Sequence, residues 1–280
     1  MKRSHTWLTL WGIGAVAVLT ALALTAATYA WFTANREVET DKVTSRTGSN
    51  QLELQISRSA DFKPEKDETG EINQAPLKEP DAPLMPVSTA DLKTFVYSPM
   101  TVNGYAESFL PATDESLYYH DTIYLRAVGE GLPDSAKMAL YLDNEGGNSI
   151  VSAENGELLT AARLGLTFDA SDPVIIALSD VNEGAGNTRP GGVELDSGKV
   201  LSYADGAVTP ADDPALSLAD VQIPVNGGAA KQPITTLELN RVYAVDVYFY
   251  LEGCDPDCLS EKVGMDQAAL TLAFYGLLAY

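Results

Sequence analysis

A chain of 280 residues with 39 acidic and 18 basic side chains has a formal net charge of −21, and so acidic a surface repels the phosphates of DNA and RNA. Nucleic acid is therefore not expected as a partner. Only two histidines, His5 and His120, are present, which excludes a histidine-rich zinc site and the HExxH metalloproteases. Neither a phosphate-binding glycine loop nor a Gly-x-Ser-x-Gly motif occurs, so the sequence supports neither nucleotide chemistry nor an α/β-hydrolase.

The first 32 residues have the pattern of an export signal. Lys2 and Arg3 precede an uncharged, mostly apolar run over residues 7–32, and Ala30 supplies the small residue before a polar segment. We predict cleavage between Ala30 and Trp31. Because about 20 apolar residues suffice to cross a bilayer, an uncleaved anchor is the alternative, and this run is the only predicted membrane contact. Removing Lys2 and Arg3 with the signal changes the net charge from −21 to −23.

The segment that follows, residues 31–50, is polar and weakly patterned. Its large apolar side chains are Trp31, Phe32, Val38 and Val43. One interpretation is that this segment is the first strand of the protein's own sheet. The other is an assembly arm that adds as a strand to a neighbouring molecule, with these four residues as anchors, because main-chain hydrogen bonds give affinity in such exchanges.

The rest of the chain is dominated by period-two alternation of apolar and polar residues, which predicts β-strands. The last two strands, over 243–251 and 268–275, are predicted to pair with each other in an antiparallel manner. A hairpin is predicted over 194–203, with its turn at Asp196-Ser197-Gly198. The remaining predicted elements are strands over 52–57, 119–127, 138–142, 164–168 and 174–178, and one short helix over 156–163.

These elements predict an all-β fold, a jelly-roll-like β-sandwich with one short helix and long Gly/Pro-rich loops. The predicted organisation is a signal peptide over 1–30, an arm or first strand over 31–50, and one sandwich domain over 51–280. Two excursions are predicted within that domain, at 61–91 and at 180–233, because proline and glycine interrupt the strand pattern there.

Two cysteines near the C-terminus, Cys254 and Cys258, flank Asp-Pro-Asp. In an exported protein this pair favours a disulfide that closes a tight loop. Two free thiols, or metal ligation, are the alternatives.

Four carboxylates surround the same loop and form a candidate calcium site, since calcium prefers hard oxygen ligands. The alternative is that they are simply solvated. The residues are Glu252, Asp255, Asp257 and Glu261. Calcium is the only cofactor considered. No catalytic residue is assigned, because His120 lies within a strand-like run where a histidine on a strand face is the ordinary case.

Two segments resemble a known family. Thr28-Tyr29-Ala30-Trp31-Phe32-Thr33-Ala34-Asn35 resembles the junction of exported Firmicutes proteins processed by the SipW-type signal peptidase, which include the TasA and camelysin family. The segment 247–258, Val-Tyr-Phe-Tyr-Leu-Glu-Gly-Cys-Asp-Pro-Asp-Cys, resembles a strand and loop near the C-terminus of clostridial relatives. The resemblance covers the two ends of the chain. It implies a jelly-roll surface protein, a fibre subunit of a biofilm matrix whose N-terminal segment inserts as a donor strand into the next subunit.

These observations predict a non-catalytic structural protein, secreted or held at the surface of a Gram-positive bacterium. Its partners would be other copies of itself or other matrix and surface proteins. The alternative is an envelope-displayed binding module for a glycan, a protein or a divalent cation. An exported hydrolase is a third, less favoured class, and its activity would depend on a carboxylate or on His120.

Overall fold

The structure is a computed structural model. The residues it describes are 38–47, 51–62, 74–80, 84–97, 101–102, 105–106, 110–133, 135–143, 151–153, 158–178, 200–204, 207–211, 215–222, 231–253 and 268–280. Within these ranges the chain is mostly β-strand, with two four-residue helices, so the prediction of an all-β fold is confirmed. No helix in this part of the chain is long and apolar enough to cross a membrane. The predicted signal peptide and cleavage site lie outside the described residues.

The first sheet, sheet A, contains the N-terminal and the C-terminal strands. Its order is β17-β10-β19-β1-β3, and β11 pairs with the beginning of β19, on the edge that β10 occupies further along. The pairing of β1 with β19 is parallel, whereas the other pairings are antiparallel. The strands are β1 (Val38–Thr47), β3 (Gln74–Pro76), β10 (Lys137–Leu142), β11 (Val151–Ala153), β17 (Thr235–Glu238) and β19 (Ala268–Ala279).

The second sheet, sheet B, has the order β16-β13-β12-β18-β9-β2, with the short β4 added to the end of β18. Both neighbours of β18 in this order run antiparallel to it. The strands are β2 (Leu52–Ser57), β4 (Pro86–Val87), β9 (Tyr119–Gly129), β12 (Ala162–Phe168), β13 (Val174–Ala177), β16 (Leu216–Ser217) and β18 (Val242–Glu252).

Short elements connect the strands of the two sheets. Three two-stranded ladders join β5 to β8, β6 to β7 and β14 to β15. These elements are β5 (Val96–Tyr97), β6 (Thr101–Val102), β7 (Tyr105–Ala106), β8 (Leu110–Pro111), β14 (Val200–Ala204), β15 (Ala207–Ala211), α1 (Leu158–Ala161), α2 (Leu218–Val221) and a 3₁₀ turn (Glu115–Leu117).

One hydrophobic core lies between the two sheets. Alternate residues of β9 and β18 are buried, so each strand presents one apolar face, as the period-two pattern predicts. Sheet A contributes the facing residues of β10 and β19 to the same cluster. The largest members of this core include Leu54, Ile123, Leu125, Phe249, Met138, Leu140 and Phe274.

Residues 84–97 cover part of the outer face of sheet B and bury a second, smaller cluster of Val87, Leu92, Phe95 and Tyr250. Backbone hydrogen bonds in both directions join Ser88 to Val96. Leu92 packs so closely on β12 that a Cβ at Gly165 would come within 2.6 Å of its side chain. The lack of a side chain at Gly165 therefore leaves the space on β12 that Leu92 occupies.

The structure differs from the sequence-based expectations at residues 61–91 and in the pairing of the last two strands. The predicted excursion at 61–91 contains β3 and β4, and it contributes buried side chains such as Leu77, Leu84 and Val87. Proline removes a hydrogen-bond donor, but both strands place it at a strand end, where that loss is tolerated. The predicted pairing of the last two strands also fails, since β18 lies in sheet B and β19 lies in sheet A.

Two smaller predictions were wrong in position. The helix predicted over 156–163 ends at Ala161, because Ala162 and Arg163 already pair with β18. The hairpin predicted over 194–203 places Tyr203 in the second strand, whereas Tyr203 lies in β14 and pairs with Val208. The predicted excursion at 180–233 accordingly contains β14, β15, β16 and α2.

Candidate functional site

The first strand occupies an internal position in sheet A. Val38 and Val43, two of the predicted arm residues, lie in β1 opposite Ala268 and Leu272 of β19. On its other side β1 pairs with β3 over Lys42, Val43 and Thr44. Residues 38–47 thus form a strand within sheet A, while Trp31 and Phe32 lie outside the described residues, and addition of the segment to a neighbouring molecule stays a prediction.

The first strand also contacts the edge of sheet B. The Ser45 hydroxyl donates a hydrogen bond of 2.7 Å to the carbonyl oxygen of Leu54, and the Thr47 hydroxyl donates one of 2.6 Å to that of Leu52. Leu52 and Leu54 belong to β2, the last strand of sheet B on this side. One strand thus completes sheet A and satisfies carbonyl groups on the edge of sheet B, which would otherwise be open to another chain.

The predicted calcium and cysteine sites are described only in part. Glu252 is buried at the end of β18, and the Ser88 hydroxyl donates a short hydrogen bond to its carboxylate. The other three proposed ligands, Asp255, Asp257 and Glu261, lie outside the described residues, as do Cys254 and Cys258. Within the described ranges no three metal-ligating side chains come together. Calcium binding and the disulfide therefore stay predictions, and Glu252 is already engaged inside the protein.

His120 lies in β9 on the outer face of sheet B, and its neighbours Tyr119 and Asp121 on the other face are buried. Its ring stacks on Tyr248, with centroids 4.5 Å apart and planes 8° from parallel. Its Nε2 atom lies 3.5 Å from Oδ1 of Asp246. The hydroxyls of Thr122 and Thr167 donate hydrogen bonds to the same carboxylate, at 2.7 and 3.3 Å. Asp246 is therefore held in place by two neighbouring strands.

The aromatic surface continues beyond this pair. Phe95 and Tyr118 stack with centroids 3.9 Å apart, and Tyr118 lies 6.2 Å from Tyr248 in a tilted arrangement. Burial raises the pKa of Tyr248 to about 12, and the negative charge of Asp246 adds to that rise. Burial raises the pKa of Tyr118 as well, with a further contribution from Glu115. Both phenols are therefore neutral hydrogen-bonding groups at physiological pH.

A pocket of about 150 Å³ opens beside this surface. Tyr118 and His120 line it together with the exposed residues Lys78, Glu79 and Glu115. Ser116 adds a hydroxyl group, and Pro80 and Leu84 add an apolar part. We call this site the Tyr118 pocket.

A buried carboxylate holds one wall of the Tyr118 pocket. Asp121 accepts hydrogen bonds from the Arg58 guanidinium at 2.6 Å and from the backbone N–H of Lys78 at 2.8 Å. The Tyr119 hydroxyl lies 3.3 Å from the same oxygen, and burial is the main reason why the pKa of Tyr119 is raised. Because Asp121 is almost fully buried, it anchors the chain at Lys78 to β9.

The buried hydroxyl of Tyr250 makes no hydrogen bond within the described part of the chain, and burial raises its pKa well above the ordinary value. We expect Tyr250→Phe to raise the free energy of unfolding by about 1 kcal/mol, because a buried, unsatisfied hydroxyl is costly. Urea denaturation measures the difference. Tyr243→Phe is the matched control and should lower stability by about 1 kcal/mol, since it removes a hydrogen bond of 2.9 Å from the backbone N–H of Glu238. A destabilised Tyr250→Phe variant would contradict this prediction.

Sequence reasoning placed His120 on a strand face but missed its association with Tyr118 and Tyr248. The available signal was that aromatic residues alternate on the outward faces of two strands, 118–126 and 244–250. Those strands turn out to be neighbours, with His120 opposite Tyr248. Comparison of the chain with protein-family models, with curated proteins and with solved structures finds no match.

Proposed function

We propose that this protein is an exported, non-catalytic structural component of the cell surface or extracellular matrix, built as a jelly-roll-like β-sandwich, whose copies assemble by exchanging β1. The observation that carries the proposal is the position of β1. It pairs with β19 in the middle of sheet A and bonds to the edge of sheet B. If β1 leaves, it exposes the edge of β19 in sheet A and the edge of β2 in sheet B, and a strand from another copy can cover both.

The described contacts of β1 are of a kind that a second copy can reproduce. They include backbone ladders with β19 and β3 and two hydroxyl-to-carbonyl hydrogen bonds. Backbone pairing gives affinity without regard to which chain supplies the strand. The register also shifts between Thr40 and Val43, so the pairing with β19 is less uniform than an ideal ladder.

The chain connection at β1 also favours exchange. Only Gly48, Ser49 and Asn50, together with Gln51, separate β1 from β2, although the two strands belong to different sheets. Exchange of an identical element between protomers is an economical route to oligomers when a short hinge connects that element to the body. The predicted export signal precedes β1, so processing would leave β1 near the new N-terminus, outside the cytoplasm.

A cysteine pair tests this proposal directly. Thr44 lies opposite Ala273 across the β1–β19 ladder, within the separation that a disulfide spans. In a background with Cys254→Ser and Cys258→Ser, we expect oxidised Thr44→Cys/Ala273→Cys protein to form covalent multimers on a non-reducing gel, because in an exchanged assembly each bond joins two copies. Reduction should return these multimers to single chains.

The matched control is Ala139→Cys/Thr236→Cys, which joins opposite residues of β10 and β17. That bond should form within one chain, so the control should stay a covalent monomer in the same assembly. The exchange proposal would be contradicted if the test pair oxidised completely to covalent monomers while the protein stayed associated. That result would show that β1 stays in its own sheet.

The second candidate function is a binding module displayed on the envelope. The observation that favours it is the Tyr118 pocket, in which aromatic rings and carboxylates converge on one small cavity. Convergence of a few polar groups on a partly apolar concavity is typical of ligand sites. The two functions are compatible, since the pocket borders the outer face of sheet B and β1 lies in sheet A.

A further inference from the structure

We propose that the Tyr118 pocket binds one neutral pyranose unit, the terminal sugar of a surface or matrix glycan. This inference deepens the second candidate function above, and it is independent of the exchange of β1.

The size of the pocket limits the occupant to a single ring. Its volume is about 150 Å³, close to that of an engineered cavity that accepts one benzene molecule. Pockets for drug-sized ligands are larger, roughly 300–1,000 Å³. An extended oligosaccharide therefore cannot enter as a whole, whereas a single terminal ring can.

The aromatic wall of the pocket suits the C–H face of a sugar. Tyr118 lines the pocket, is half-buried and is held in place by its stacking on Phe95. Pyranose rings carry a patch of weakly positive C–H groups on one face, and the face of an aromatic ring is negative. His120, which stacks on Tyr248, is a second aromatic ring in the lining of the pocket.

The polar residues of the pocket distinguish a neutral sugar from a charged ligand. The lining includes the ammonium of Lys78 and the hydroxyl of Ser116 as donor groups, and the carboxylates of Glu79 and Glu115 as acceptors. Sugar hydroxyls donate and accept at once, so they match this mixture. A cation would meet Lys78, and an anion would meet two carboxylates in a protein whose net charge is already −21.

The walls are also held by the rest of the fold. Asp121 fixes the backbone at Lys78, and the carboxylate of Asp114 caps the 3₁₀ turn by accepting a hydrogen bond of 2.9 Å from the N–H of Ser116. The N–H of Met85 donates to the carbonyl oxygen of Leu117 at the end of that turn. A site whose walls are already ordered loses little entropy when it binds a small ligand.

The test is saturation-transfer NMR on the full chain in detergent micelles, with the methyl glycosides of glucose, galactose, mannose and N-acetylglucosamine as separate probes at about 10 mM. At least one probe should bind with a Kd of about 1 mM, a typical affinity for so few contacts. Tyr118→Ala and the double variant Glu79→Gln/Glu115→Gln should each weaken that binding about tenfold or more. Glu130→Gln is the control, because this exposed carboxylate lies at the opposite end of β9 and should leave binding unchanged.

Choline and inorganic phosphate are tested as well, as a cation and an anion that the charges of the pocket should disfavour. Binding of choline or phosphate in preference to all four glycosides would overturn the proposal, as would no transfer from any glycoside. Binding that both pocket variants leave unchanged would overturn it too. If Tyr118→Ala does not fold, the double glutamine variant decides, because exposed carboxylates contribute little to stability. None of these outcomes bears on the cysteine-pair test of β1, so the two proposals fail separately.

Discussion

Deleting residues 31–46 from the processed chain is expected to abolish assembly while the body of the protein stays folded. The deletion removes all of β1 except Thr47. The parallel partner of β19 and the Ser45 hydrogen bond to β2 are lost with it. The buried core side chains of β2, β9, β10, β12, β18 and β19 all remain in the shortened chain, so we expect it to stay folded. Size-exclusion chromatography with light scattering, followed by negative-stain microscopy, compares chains that begin at Trp31 and at Thr47.

A point substitution distinguishes the loss of backbone pairing by β1 from the loss of residues 31–46 themselves. Thr44 pairs with Ala273 on one side and with Gln74 on the other, so Thr44→Pro removes a backbone donor from the interior of a ladder. We expect Thr44→Pro to reproduce the effect of the deletion and Thr44→Val to assemble normally, since valine keeps the donor and is a good strand residue. Equal oligomers from the deleted and the intact chain would place the assembly surface elsewhere. A stable monomer in both would leave the binding module as the remaining proposal.

The burial faces of the strands could be read from the sequence. Alternation in β9 placed Ile123 and Leu125 on one face, and the structure buries both completely. The same reasoning succeeded for Val247 and Phe249 in β18. A period of two fixes which side chains turn inward, because successive side chains point to opposite faces of a strand.

Strand partners could not be obtained in the same way. Both β18 and β19 present apolar faces to one core, but they approach it from opposite sheets. The alternation of apolar and polar residues is the same for a strand above the core and a strand below it. The pattern therefore does not determine which sheet a strand belongs to, or whether β18 and β19 pair. The parallel pairing of β1 with β19 joins the two ends of the chain, and no local signal in the sequence indicates contacts of that separation.

The cover of sheet B was missed for a different reason. Tyr250 and Glu252 occupy outward positions in β18, where alternation predicts solvent, yet both are buried. Residues 84–97 bury them, in a region that the prolines led us to interpret largely as a surface loop. The Tyr118 pocket lies beside this cover and is formed partly by it, so its residues could not be grouped without the fold.

The second large effect is expected at the ion pair behind the Tyr118 pocket. Arg58→Met should lower the free energy of unfolding by about 3 kcal/mol, because it leaves the carboxylate of Asp121 buried without its cationic partner. The carboxylate is 4% exposed and the guanidinium 27% exposed, with 2.6 Å between them. Chemical denaturation in urea at neutral pH gives the difference in unfolding free energy.

Arg241→Met is the matched control, since it removes an ion pair of similar length, 2.8 Å, from the surface. There the two side chains are 51% and 33% exposed, so water screens the pair and the expected loss of stability is much smaller than for Arg58→Met. If the two variants were equally stable, Asp121 would not be acting as a buried charge.

If Arg58→Met is selectively destabilised, sugar binding should weaken with it, although Arg58 does not line the pocket. Asp121 accepts hydrogen bonds from both Arg58 and the backbone N–H of Lys78, so losing one partner loosens the wall that the other holds.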